Sequence, residues 1–261
     1  MDVGIAESAE HAASLAADAI ENLLRTKTEA VLGVATGSSP VGIYDELGRR
    51  VSTGRLSLAR ASAFMLDEYV GLRAGHPQAY RSVIDEIFTR KVDIDASRVH
   101  GPDGTADDVK AACAAYEAAI RTAGGVDIQI LGIGTDGHIA FNEPTSSLTS
   151  RTRIKTLTKQ TRIDNSRYFG GDINSVPTHC LTQGIGTILE ARFVILVAAG
   201  PAKAEAVRQT VEGPVSALWP GSALQLHPNV TLLLDPAAAA SLTLTEYYRD
   251  VWAHKPDWQR W

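Results

Sequence analysis

The sequence predicts a doubly wound, Rossmann-like α/β fold, a single domain over residues 1–261 whose mostly parallel sheet carries helices on both faces. Three observations predict it. Short, continuously apolar runs with β-branched residues recur, as strands buried on both faces require. Amphipathic helical stretches lie between them, and turns rich in Gly or Pro separate the two. Such alternation implies right-handed crossovers. With 261 residues, 44% of them hydrophobic, the chain can bury a core of this size undivided.

In order, Ala12, Leu15, Ala16, Ala19, Ile20, Leu23 and Leu24 repeat at helical spacing. Residues 30–35 read as the first strand. Thr36-Gly37-Ser38-Ser39-Pro40 then opens a second helix, with Ser38 or Ser39 as its cap and Pro40 at its first position. Residues 61–66 read as the second strand. A stripe of Val109, Ala112, Cys113, Tyr116 and Ile120 forms a helix ended by Gly124-Gly125. Residues 126–133, 193–199 and 230–234 complete the set of strands. Ligands of open parallel sheets bind beyond the carboxyl ends of the strands, so the chemistry is expected just after these runs.

Bulk properties exclude several classes. The formal net charge is −5, the wrong sign for non-specific nucleic-acid binding. A negative protein that handles phosphates must instead gather its cations in one place. The two cysteines, Cys113 and Cys180, form no disulfide framework or zinc knuckle, which points to a reducing compartment. The first residues carry acids at Glu7 and Glu10, unlike a secretory n-region, and the longest apolar run is far too short to span a bilayer. A cytoplasmic protein with no membrane partner is expected.

Four rim segments look chemical. Around Thr36, Gly37, Ser38 and Ser39, free amides at a helix start suit a phosphate, although a plain helix cap fits the same residues. Asp67 and Glu68 end the second strand with side chains on opposite sides; one is a candidate general base, and an exposed acidic turn is the bland alternative. In Gly134-Thr135-Asp136-Gly137-His138, extended to Glu143, two carboxylates can orient and tune an imidazole. One histidine with two acids is a thin ligand set for zinc or iron, so no metal is expected. Lys203 sits at a helix start, where it opposes the helix dipole and an anionic ligand would explain it. Residues 151–167 add Arg151, Arg153, Lys155, Lys159, Arg162 and Arg167 against one acid, Asp164. Together these residues read as a sugar-phosphate site with a carboxylate base and a supported histidine.

The string Gly-Thr-Asp-Gly-His-Ile-Ala-Phe-Asn-Glu-Pro at 134–144, followed by residues 146–157, resembles the glucosamine-6-phosphate deaminases. The resemblance extends through Phe-Met-Leu-Asp-Glu-Tyr-Val-Gly-Leu at 64–72, Val-Glu-Gly at 211–213 and Leu-Gln-Leu-His-Pro at 224–228, and covers about residues 32–235. It implies an enzyme of amino-sugar catabolism that yields fructose 6-phosphate and ammonia, classed as a hydrolase acting on an amino-sugar phosphate, with no cofactor. It further implies that Asp67 moves a proton from C2 to C1 of the opened sugar, and that His138 opens the ring with support from Asp136 and Glu143. Arg167 and Lys203 match the phosphate ligands, assisted by backbone at residues 36–39; Ser38-Ser39 departs from the Gly and Thr often found there. Some members are hexamers activated by N-acetylglucosamine 6-phosphate between subunits. Ser146, Arg153, Lys155, Thr156 and Tyr247 match that site, so a homo-oligomer with this effector is expected. A 6-phosphogluconolactonase is the rival enzyme, but it has no need of the Asp67 proton shuttle. A sugar-phosphate-sensing regulator domain would need an attached helix-turn-helix, for which there is no room before the first strand.

Overall fold

The structure, a computed structural model, describes residues 1–256. Its strands in chain order are β1 (Asp2–Ile5), β2 (Val31–Val34), β3 (Ser62–Met65), β4 (Asp67–Tyr69), β5 (Val99–His100), β6 (Ile128–Leu131), β7 (Arg153–Thr156), β8 (His179–Thr182), β9 (Phe193–Ala198) and β10 (Val230–Leu234). Its helices are α1 (Ala9–Thr26), α2 (Ser38–Ser52), α3 (Tyr80–Ile84), α4 (Val109–Thr122), α5 (Lys159–Ser166), α6 (Ile185–Ile188), α7 (Ala204–Val211) and α8 (Thr245–Ala253). A seven-stranded sheet runs in the order β1-β10-β9-β6-β2-β3-β5, with every pairing parallel.

Side chains of successive strand residues point to opposite faces, and the two cores follow that period. Leu32, Val34, Ile128 and Ile130 meet Ala16 and Ile20 of α1 and Ile43 and Leu47 of α2 on one face. Val31, Leu131, Leu196 and Leu232 meet Tyr116 and Ile120 of α4 and Val207 of α7 on the other. Each such aliphatic side chain contributes about 1.5–3 kcal/mol by leaving water. The helices end where local chemistry permits. Ser8 caps α1 by accepting from His11 N at 3.2 Å, and Asp108 caps α4 by accepting from Ala111 N at 2.9 Å. Gly124 and Gly125, at φ 89° and 81°, close α4, with Gly125 N donating to Ile120 O.

All five expected strands form, and helices cover both faces. Strands β1 and β5 were not expected, because four residues including a glycine, and two residues, carry no apolar run. Chain order reverses between β2 and β6, so a ligand crevice opens beyond the carboxyl ends of those two strands. The expected Ser38 or Ser39 cap of α2 is corrected. Gly37, at φ 96°, is the cap, no side chain bonds there, and Ser38 already lies in the helix. Asp67-Glu68-Tyr69 is likewise no turn. It forms the edge of a second, antiparallel sheet in the order β4-β8-β7, in which Asp67, Thr182 and Arg153 share one rung.

Candidate active site

The loop after β6 is built around His138. Gly134 N donates to His138 O at 2.8 Å, folding the loop back so tightly that a Cβ on Gly134 would lie 2.3 Å from the imidazole. Glycine is therefore required there by contact rather than by dihedral angle. His138 Nδ1 lies 2.7 Å from Asp136 and 3.9 Å from Glu143 Oε2, and Asp136 also accepts from His138 N. Burial alone would raise the Asp136 pKa, but the hydrogen bond and charge of His138 hold it well below the usual carboxylate range. Burial pushes Glu143 up, opposed by the hydroxyl of Thr161, which donates to Glu143 Oε1. Ala140, at φ 51°, and Thr145, at φ 73°, hold left-handed conformations at a cost of about 1 kcal/mol or more each. Asn142 Nδ2 restrains the first by bonding Ile139 O and Gln183 O, and Ala217 O restrains the second by accepting from Thr145 N.

Asp67 follows β3 after one residue and is buried. Among the described residues no hydrogen-bond donor reaches its carboxylate. Burial, then the charge of Glu68, raises its pKa well above the ordinary value. Glu68 points the other way and accepts from three backbone amides. Strand β4 and the histidine loop are joined by Thr182, which pairs with Asp67 across the sheet and accepts from Phe141 N at 3.2 Å. Tyr69 and Phe141 also meet, with ring centres 5.8 Å apart.

Beyond the carboxyl end of β2, α2 begins without a side-chain cap, leaving its first amides free beside exposed Gly37 and Ser38. The Tyr44 hydroxyl donates to Ala35 O and accepts from Ala35 N, fixing the chain where it enters Thr36. Gly132 comes close to Ser39, so the loops after β2 and β6 adjoin. Lys203 precedes α7 and is half-buried. Burial lowers its pKa, Asp136 and Asp164 oppose that, and Arg167 adds to it, which places all four charges in one neighbourhood. Arg167 ends α5, exposed, with its guanidinium 4.8 Å over the Tyr168 ring.

The basic run does not act as one patch. Arg151 is held by Glu117 and Glu190, and Arg162 donates to Ile173 O and Val176 O. Arg153, Lys155 and Thr156 lie on β7, with Arg153 half-buried and its pKa lowered by burial. Ser146 is buried, and its hydroxyl has no partner among the described residues. Tyr247 stands apart on α8, which packs on β1 at an edge of the larger sheet. Asp136, His138 and Glu143 are a group whose ligand atoms lie within 4.8 Å, although a cation there would displace the Asp136–His138 contact. Thr161, Thr182 and Tyr44 support the site without any sequence signal, whereas Asn142 lies inside the Phe-Asn-Glu-Pro string. No helix among the described residues is long and apolar enough to cross a membrane.

Residues 5–233 match the family described as glucosamine-6-phosphate isomerases/6-phosphogluconolactonase. A glucosamine-6-phosphate deaminase of Mycolicibacterium smegmatis is 63% identical over 259 residues, covering 99% of both chains, and one of Beutenbergia cavernae is 62% identical over the same span. A solved structure of a monomeric glucosamine-6-phosphate deaminase is 43% identical and superposes with a TM-score of 0.89, covering 92% of this chain and 100% of that one. The 6-phosphogluconolactonase of Trypanosoma brucei, 18% identical with a TM-score of 0.75 over 93% of this chain and 98% of that one, shares the fold. The expected class of hydrolase is corrected by these comparisons, because the relatives of high identity are glucosamine-6-phosphate deaminases, whose activity is of the isomerase type. A base that shifts a proton between adjacent carbons performs an isomerisation.

Proposed function

The chain belongs to the glucosamine-6-phosphate deaminase family, and on that premise we propose that it isomerises and deaminates glucosamine 6-phosphate to fructose 6-phosphate and ammonia. The observation that carries this reading is Asp67, a buried carboxylate that no donor among the described residues reaches, joined through Thr182 to the loop of a histidine flanked by two acids. Lys203, Arg167 and the amides of residues 36–39 hold the phosphate, and binding there aligns the sugar carbons with Asp67. His138, oriented by Asp136 and Glu143, moves the proton between the ring oxygen and the C1 hydroxyl that opens the pyranose. Asp67 removes the proton from C2 and returns it to C1. The C1 aldehyde is thereby reduced and C2 oxidised to an imine, so no outside oxidant is required. Water adds at C2 and ammonia leaves, completing the ketose.

We also propose that Arg153, Lys155, Thr156 and Ser146 form a separate anion site for N-acetylglucosamine 6-phosphate. Tyr247, remote from them within one chain, would come from a neighbouring subunit of a homo-oligomer such as a hexamer. The setting proposed is cytoplasmic, with no cofactor and no nucleic-acid or membrane partner. Purified protein is incubated with glucosamine 6-phosphate without added metal, and ammonia and fructose 6-phosphate are measured together. Equal amounts of both are expected, and no ammonia would refute the reading. A rate curve unchanged by N-acetylglucosamine 6-phosphate would remove the second site.

A further inference from the structure

Glu68 is a buried carboxylate at the rim that the reaction above does not use. The structure assigns it the task of a positioning residue: its carboxylate seats the start of α3, and with it the Tyr80 ring, as one wall of the compartment in which Asp67 works. This inference rests on the reading of Asp67 as the base.

Three observations carry it. The alternation of β4 sends Glu68 away from Asp67 and towards α3. There Oε1 accepts from Tyr69 N and Tyr80 N, and Oε2 accepts from Arg81 N, each at 2.8 Å. The residue before α3, Ala79, offers no side-chain cap, so a carboxylate from another segment satisfies the first two amides of this helix. The seated Tyr80 ring then lies 4.8 Å from Tyr69 and stacks on Phe141 at 5.7 Å with an interplanar angle of 8°. Phe141 belongs to the loop of His138 and Glu143. One carboxylate thus fixes the base strand, α3 and the histidine loop relative to one another.

Glu68 also sets the charge around the base. The titratable groups that sense Asp67 are Tyr69 on its own strand, Tyr80 on α3, Tyr116 on α4 and Cys180 on β8. Burial pushes all four up, so they stay neutral near neutral pH; burial raises Glu68 as well, and the three amides oppose that rise by favouring its ionised form. Burial is the larger cause of the raised Asp67 pKa, and the charge of Glu68 adds to it.

The test compares E68Q and E68D with D67N in steady-state kinetics across pH, with thermal melts to establish folding. E68Q presents an amide group to Arg81 N–H and lacks the charge. Its kcat is expected to fall ~10-fold with KM within ~2-fold of wild type. The acid limb of its kcat profile is expected to move to lower pH. E68D keeps the charge but is one methylene too short, so kcat falls while the acid limb stays in place. Folded E68Q with wild-type kcat and acid limb overturns the inference. Should E68Q not fold, wild-type kcat in E68D overturns it instead. D67N separates the two readings: normal turnover in D67N removes the base assignment itself, whereas a silent D67N beside a wild-type-like E68Q removes only the role of Glu68.

Discussion

An ionisable group held without a donor in a buried place lowers stability at neutral pH, and among the described residues no donor reaches the buried Asp67. Its folded pKa lies above the unfolded value, so its contribution to stability is fully present below the unfolded pKa and is lost as pH rises through the folded one. Asp67→Asn removes that loss. The variant is expected to melt about 2–4 °C above wild type at neutral pH and to lose this advantage in acid, below the usual carboxylate pKa. A lower melting temperature at neutral pH would mean that the carboxylate stabilises the fold. Lys203 carries a different kind of burden. Burial disfavours its charge, and the phosphate dianion of the proposed substrate would favour it. Lys203→Ala is expected to raise KM ~10-fold or more with a smaller change in kcat; an unchanged KM would take it out of the phosphate site.

Among the elements, the loop after β6 is the most constrained. Gly134→Ala places a methyl group against the imidazole, and a displacement of about 1 Å at a reacting group costs ~100-fold. A fall in kcat of that order is expected with a native melting curve, and wild-type turnover would show that the ring moves aside freely. The three-stranded sheet is held from behind by Glu117 of α4, which accepts from Thr152 N, from the Thr152 and Thr187 hydroxyls and from Arg151. Glu117→Ala takes the acceptor from the buried Thr152 and Thr187 donors, while Arg151 keeps Glu190, and is expected to destabilise by about 3 kcal/mol, read by chemical denaturation. The central strands were legible in the sequence because burial on both faces demands unbroken apolar runs. Strands β4 and β7 were not, because Asp67-Glu68-Tyr69 and Arg153-Ile154-Lys155-Thr156 mix charge with apolar residues and pair only through β8, far away in the chain. The catalytic string was legible because its glycines answer a local contact. Thr161 and Thr182 were not, since a lone threonine acquires its meaning from partners 18 and 41 residues away.

At the scale of the whole molecule, the chain carries a net charge of −5, and on the proposed reading Lys203 and Arg167 supply the cations that a sugar-phosphate dianion needs. Local attraction has to overcome a repelling field, so KM for the sugar phosphate is expected to respond to ionic strength more strongly than kcat does. Steady-state kinetics from low salt to ~0.5 M test this, since screening reaches within about 5 Å at the upper end; parallel changes in both constants would contradict it. The overall architecture brings the uncapped start of α2, the loop of His138 and β4 to one rim, where the proposed phosphate binding and proton transfer would share one crevice. The direct test is the reaction in heavy water, following deuterium at C1 of fructose 6-phosphate by NMR for wild type and Asp67→Asn. Deuterium at C1 in the wild-type product, with no product from a folded variant that still binds a substrate analogue, is the expected result. A variant that forms C1-labelled product at the wild-type rate would contradict the account at its centre.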